Sequence, residues 1–156
     1  MKLADPIAII VGSKGQDGRL LEEKLKELHY SVVGLDRNTL DITNPGDVDE
    51  FFSDIKPKEI YFLAAYHHSA QEDPNKENKL FAKSFDIHVL AVVNILEALV
   101  NHSSHSRFFY ASSCLVFDVV DGKVQTELTR YNPETPYAIT KTAGTLVCQY
   151  YRNSKN

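Results

Sequence analysis

The stretch Ile7-Ala8-Ile9-Ile10-Val11-Gly12-Ser13-Lys14-Gly15-Gln16-Asp17-Gly18-Arg19-Leu20-Leu21 decides the fold. A run rich in β-branched apolar residues passes into glycines at 12, 15 and 18, then into a helical pattern carried by Leu20, Leu21, Leu25 and Leu28. It predicts a buried parallel strand, a tight turn and a helix from about Gln16 to His29 whose amino end points at the turn. Such a helix start offers unpaired N–H groups and the positive end of a dipole, which suits a pyrophosphate. Gly12, Gly15 and Gly18 let the backbone turn sharply, admit a phosphate where a Cβ would stand, and bring the helix close to the strand. The spacing Gly12-x-x-Gly15-x-x-Gly18 differs from G-x-G-x-x-G, and a purely structural turn is the competing reading.

Outward from that turn, Ser31-Val32-Val33-Gly34-Leu35-Asp36 reads as a second strand. Asp36 falls eighteen residues after Gly18, where a carboxylate can accept from the adenosine ribose hydroxyls and favour NAD over NADP. Arg37 pulls the other way, because a guanidinium there can hold a 2′-phosphate. Thr39-Leu40-Asp41-Ile42-Thr43 is expected to form a short strand, with Asp41 and Ile42 either flanking an adenine or forming a capping turn. Asn44-Pro45-Gly46 opens a helix to about Ile55, stopped by Lys56-Pro57. Glu59-Ile60-Tyr61-Phe62-Leu63-Ala64-Ala65 is a further strand, and the small residues at its end would let a cofactor lie on the backbone.

Residues 66–79 form a polar segment after that strand. His67-His68 within it invites a metal reading, but without a carboxylate or cysteine at ligand spacing it reads as a substrate contact or a polar loop. A helix from about Leu80 to Asn101 is apolar nearly all round between Ile87 and Val100. Such a helix needs cover on two sides, one being the sheet and the other a partner such as a second copy. Arg107 to Ser113 forms the last strand, and Thr135-Pro136 caps a final helix carrying Tyr137 and Lys141. Alternating strands and helices imply an α/β domain with a parallel sheet covered on both faces.

With 156 residues the chain reads as one domain, residues 1–156. Seventeen basic against twenty-one acidic residues, with no basic block, argue against a nucleic-acid surface. Cys114 and Cys148 lack metal or C-x-x-C spacing and read as reduced thiols. Neither a membrane-spanning apolar stretch nor a signal peptide is expected, which points to the cytoplasm.

Tyr137 and Lys141 are four apart and share a helix face. A phenol of ordinary pKa about 10 works poorly at neutral pH, and a nearby ammonium favours its phenolate. Lys141 can also bond a nicotinamide ribose, and Ser113, at a strand end, can orient a substrate hydroxyl or carbonyl.

Gly12-x-x-Gly15-x-x-Gly18, Leu63-Ala64-Ala65, Ala111-Ser112-Ser113 and Pro136-Tyr137-Ala138-Ile139-Thr140-Lys141 together resemble the extended short-chain dehydrogenase/reductases, the NAD-dependent epimerase/dehydratase family acting on nucleotide sugars. The resemblance implies a Rossmann doubly wound sheet and NAD or NADP as cofactor. It implies contacts to that cofactor from Gly12, Gly15, Gln16, Asp17, Gly18, Asp36, Arg37, Asp41, Ile42, Leu63, Ala64, Ala65, Tyr137 and Lys141, and catalysis by Ser113, Tyr137 and Lys141. Gly15-Gln16-Asp17-Gly18 looks like the GDP-mannose 4,6-dehydratases, whereas Leu40-Asp41-Ile42-Thr43-Asn44-Pro45 and Val116-Phe117-Asp118 look like the dTDP-4-dehydrorhamnose reductases. Two positions depart from the family: Leu115 stands where dehydratases carry a glutamate, and His88 where an asparagine is usual.

Members of this family continue for over a hundred further residues that hold the nucleotide sugar, so the chain resembles the cofactor-binding part without the C-terminal substrate domain. The resemblance also implies a homodimer through helices 80–101 and 136–152. Three functions follow as expectations: a nucleotide-sugar epimerase, dehydratase or reductase; a cofactor-binding module without catalysis of its own; or an interaction domain with idle motifs.

Overall fold

In the computed structural model, which describes residues 5–66, 77–119 and 124–155, strand β1 (Ile7–Val11) is the centre of the sheet. It pairs in parallel with β2 (Ser31–Leu35) on one side and β3 (Glu59–Phe62) on the other, placing Val11 opposite both Leu35 and Phe62. Strand β4 (Arg107–Tyr110) adds to β3, giving the order β2-β1-β3-β4. Side chains alternate along β1. Ala8 and Ile10 pack with Leu25 of helix α1 (Gln16–Glu27), while Ile9 and Val11 pack with Phe52, Phe62, Val92 and Ile95 on the opposite face. That second face is closed by α2 (Pro45–Asp54), α4 (Ala91–His102) and α5 (Pro136–Ser154). Helices on both faces of a parallel sheet make the doubly wound Rossmann-like arrangement read from the sequence.

The strand order reverses between β2 and β3, so successive crossovers leave β1 in opposite directions and open a crevice at the carboxyl ends of β1 and β3. Both motifs expected to touch a cofactor, the turn after Val11 and Leu63-Ala64-Ala65, run into that crevice.

Three expectations are corrected. Residues 39–43 form no strand: the carbonyl of Asp36 accepts from the Thr39 and Leu40 amides, and Asp41 Oδ1 accepts from the Thr43 amide and hydroxyl. These local bonds compete with ladder formation. The segment is held instead by Leu40 and Ile42 against the core and by Asn94 Nδ2 donating to the Ile42 carbonyl at 3.1 Å. The last two strands also end earlier than expected, at Phe62 and Tyr110, leaving 63–65 and 111–113 as loop at the crevice.

The long apolar helix is three pieces, α3 (Glu77–Phe85), a π-helical turn (Asp86–Leu90) and α4. Contrary to the expectation that no such stretch exists, Lys79–His102 is long and apolar enough to cross a membrane by length and composition, but half of that window is buried inside the fold. Ala91, Val92, Ile95, Leu96, Ala98 and Leu99 are all buried, and α2 and α5 supply much of the second cover assigned to a partner. His67, His68 and Pro74 lie outside the described residues.

Helix ends follow capping chemistry. Asn44 Oδ1 accepts from the Gly46 amide at 2.9 Å, and Thr135 Oγ1 from the Ala138 amide at 3.2 Å, with Pro45 and Pro136 next in the chain. Within α5, Gly144 sets how closely the helix approaches its neighbours: a Cβ there would stand 2.3 Å from the His88 carbonyl oxygen and 2.4 Å from the Tyr110 hydroxyl. Gly144→Ala is therefore expected to destabilise the domain by about 1–3 kcal/mol despite its gain in helix propensity. Urea unfolding measures it, and an unchanged or raised stability would show that α5 can shift freely.

Candidate active site

The turn after β1 depends on an absent side chain. Gly12 has φ +93°, and a Cβ there would lie 2.8 Å from the Ala64 amide nitrogen. The strand ends are this close because Gly12 N donates to Leu35 O and Leu63 N to Val11 O, each at 2.9 Å. A Cβ on Gly18 would stand 2.5 Å from the Gly12 carbonyl oxygen, so α1 can sit this near the turn only with glycine there. Gly15 is the N-cap of α1 and brings no side chain to its first-turn amides, which leaves them to an anion.

A cavity of about 820 Å³ opens beside this turn, within the size range of small-molecule sites. Of the expected cofactor contacts, Gly12, Gly15, Asp36, Arg37, Asp41, Ile42, Leu63, Ala64 and Ala65 line it together. Gln16, Asp17 and Gly18 do not: Gln16 and Asp17 are exposed on the first turn of α1, and Gly18 is buried beneath it. Lys14, Asn38, Leu40 and Ile87 also line the cavity and were not singled out from the sequence. Lys14 carried a usable signal, a cation inside the glycine turn; Ile87 carried none, because its place depends on the π turn.

At the β2 end, Asp36 Oδ1 accepts from the Asn38 amide at 2.8 Å. Asp41 Oδ1 accepts from Thr43, and the hydroxyl bond holds its carboxyl below the usual carboxylate value. Asp41 thus lines the cavity and also forms the turn that competed with the adenine reading. Two cations, Lys14 and Arg37, share the cavity with these two carboxylates.

Tyr137 and Lys141 belong to a second cluster, joined to the cavity by neighbouring residues of the π turn: Ile87 lines the cavity, and the His88 ring stands nearly perpendicular to that of Tyr137 with centroids 5.2 Å apart. Lys141 is 1% exposed, donates from Nζ to the Ala111 carbonyl at 2.8 Å and lies 4.8 Å above the Tyr110 ring. Burial pulls its ammonium down to about 8. Ser113 Oγ accepts from the Leu115 amide at 3.2 Å and so caps the 3₁₀ turn Cys114–Val116. Tyr137 is half-buried; burial holds its phenol above the ordinary value, and the Cys114 thiol adds to this. The lowering by Lys141 read from the sequence is not what this geometry produces, since Nζ lies 5.9 Å from the Tyr137 ring centre and the desolvation of the phenol dominates.

His88 is fully buried. Its Nε2 accepts from the Tyr66 amide at 3.0 Å and its Nδ1 pairs with Thr140 Oγ1 at 2.8 Å. Burial, and then the positive charge of Lys141, depress it to about 3.

Residues 8–156 match the model of the NAD dependent epimerase/dehydratase family. A GDP-mannose 4,6-dehydratase of Yersinia enterocolitica is 28% identical over 94% of this chain and 46% of its own length. The crystal structure of a dTDP-4-dehydrorhamnose reductase from Bacillus anthracis in complex with NADP superposes with a TM-score of 0.81 at 25% identity, over 96% of this chain and 51% of that one. A UDP-glucose 4-epimerase from Brucella ovis in complex with NAD shares the fold, with a TM-score of 0.82 at 19% identity over 96% and 49% of the two chains. The chain spans about half the length of the relatives it matches.

A pH effect follows from His88. Its folded value of about 3 lies below its unfolded value of about 6.5, so between these limits the unfolded chain binds more protons and stability rises with pH. Stability is therefore lost as pH falls below about 6.5, by at most about 1.4 kcal/mol per pH unit for one proton. The carboxyls of Asp41 and Glu59 are held below their ordinary values and act at lower pH. Urea unfolding between pH 7 and pH 5 should show the slope, and His88→Gln should remove it; a flat wild-type profile would contradict a neutral buried imidazole.

Proposed function

The chain belongs to the NAD dependent epimerase/dehydratase family, and on that footing we propose that it binds NAD or NADP and is the cofactor-binding part of an enzyme that alters a nucleotide sugar by hydride transfer, as an epimerase, reductase or dehydratase. One observation carries this reading. The glycine turn and its cavity stand at one end of the crevice, and Tyr137 with a buried Lys141 stands beyond the π turn that borders it.

Fit to a dinucleotide is supported by the cradle that a Cβ on Gly12 would fill. Gly12, Lys14 and Gly15 would hold the diphosphate, Asp36, Arg37, Asp41 and Ile42 the adenosine, and Leu63, Ala64, Ala65 and Lys141 the remainder. A bound nicotinamide supplies reversible hydride transfer. Tyr137 gives or takes the proton at a sugar hydroxyl through its phenol oxygen, Lys141 would bond the nicotinamide ribose, and Ser113 orients the substrate oxygen. Leu115 is 54% exposed beside Ser113 and cannot move a proton, so epimerisation or reduction is better supported than dehydration. The carboxylate of Asp36 favours NAD, whereas the Arg37 guanidinium would receive the 2′-phosphate of NADP.

The second reading is a cofactor-binding module without catalysis of its own, supported by a Tyr137 phenol that burial holds above its ordinary value. A homodimer through the helices over 80–101 and 136–152 is supported by exposed apolar side chains on both: Phe81, Phe85 and Leu90 on one, Ile139, Leu146 and Tyr150 on the other. A cytoplasmic location fits the family.

Thermal unfolding with each of NAD, NADH, NADP and NADPH tests the cofactor. Turnover of UDP-, GDP- and dTDP-sugars, followed by absorbance of the reduced nicotinamide, tests the enzyme. Tyr137→Phe is expected to lower turnover by about 10²-fold or more with cofactor affinity nearly unchanged. A rise in melting temperature with no response to any sugar supports the module, and full activity in Tyr137→Phe removes the acid/base.

A further inference from the structure

We infer that His88 is a positioning residue: a neutral imidazole, protonated on Nδ1 only, that ties the loop after β3 to the first turn of α5 and so sets where the Tyr137 phenol stands. The inference rests on the proposed role of Tyr137.

The tautomer is dictated by its neighbours. Tyr66 N–H is a backbone donor with no alternative protonation state, and at 3.0 Å from Nε2 it requires a lone pair there. The ring proton is therefore on Nδ1 and is donated to Thr140 Oγ1 at 2.8 Å. Thr140 in turn donates its own hydroxyl proton to the Pro136 carbonyl at 2.9 Å or the Tyr137 carbonyl at 3.0 Å. The relay runs in one direction, from the Tyr66 amide through His88 and Thr140 to the backbone of the turn that bears Tyr137. Reversing the ring tautomer would set N–H against N–H at Tyr66, and a second ring proton would do the same in a site with no exposed surface.

The π turn makes the relay possible. It places His88 opposite α5, where Gly144 leaves room, and the Tyr110 hydroxyl secures the His88 carbonyl at 3.1 Å. Among the described residues, the charged or titratable groups packed about the imidazole are Lys141, Tyr110 and Tyr137, of which Lys141 further disfavours a cationic ring. The His88 ring, nearly perpendicular to that of Tyr137 with centroids 5.2 Å apart, restricts that phenol together with the anchored first turn. His88 does not carry a proton to the substrate: its one proton points to Thr140, away from Tyr137.

Nitrogen-15 NMR of the full chain with labelled histidine reads the tautomer without any substrate. A protonated Nδ1 and bare Nε2, unchanged from pH 8 to pH 5, is expected; a protonated Nε2, or a cationic ring in that range, overturns the inference. Tyrosine-labelled His88→Leu, which fills the space without the hydrogen bonds, should show the Tyr137 phenol titrating closer to the ordinary tyrosine value than in the wild type, and His88→Gln, which can both accept and donate, should restore it. A Tyr137 titration identical in His88→Leu and wild type overturns the inference. In a turnover assay His88→Leu should lower kcat about tenfold, with KM and cofactor affinity within about twofold, and His88→Gln should recover most of it. Parallel losses in kcat and cofactor affinity would instead mark a merely structural residue. Should the wild type turn over no nucleotide sugar, the proposed function fails, while the two NMR measurements still decide His88.

Discussion

Backbone approaching backbone at the carboxyl ends of β1 and β3 is the constraint on which the rest of the domain depends. Gly12 can hold φ +93° with the Ala64 amide against it only because it lacks a Cβ. That closeness sets the crevice at the reversal of strand order, brings Asp36 and Arg37 on the β2 side to face Leu63-Ala64-Ala65 on the β3 side, and leaves the amino end of α1 uncapped by any side chain. A substitution there would strain the turn and fill the site at once, which is why one residue type serves both fold and binding.

A second organising contact lies where α5 meets the π turn. His88, Thr140 and Lys141 are buried within this apolar packing with partners in the Tyr66 amide, the first-turn carbonyls of α5 and the Ala111 carbonyl respectively. Leaving any of them unpaired would cost about 1–3 kcal/mol. Satisfied in this way, they fix the rotation of α5 about its axis and hence the direction of every side chain in its first turn. Stability and chemistry are therefore coupled here: the bonds that keep the interior satisfied are also those that aim Tyr137.

Much of the fold was legible locally. The apolar run ending at Val11, the caps at Asn44 and Thr135 and the stop at Lys56-Pro57 are short-range features, each with a mechanism that acts within a few residues. The expectation of a strand over 39–43 failed for the same kind of reason: Asp36, Thr39, Asp41 and Thr43 offer side-chain and turn bonds that outcompete a ladder. The all-round apolar helix was recognised, but its cover by α2 and α5 of the same chain was not, since apolarity says that a face is buried and never by what.

By itself the sequence determined the α/β class, the glycine turn, the helix ends and the candidacy of Ser113, Tyr137 and Lys141, because these rest on periodicity, capping and ordered motifs along the chain. Only the tertiary structure decided that Lys14 and Ile87 share a cavity with Asp36, that burial raises the Tyr137 phenol while lowering the Lys141 ammonium, and that His88 bridges Tyr66 and Thr140. The physical reason is distance along the chain: His88 stands 22 residues from one partner and 52 from the other, and desolvation depends on every atom packed around a group. Neither quantity exists until the helices have closed on the sheet.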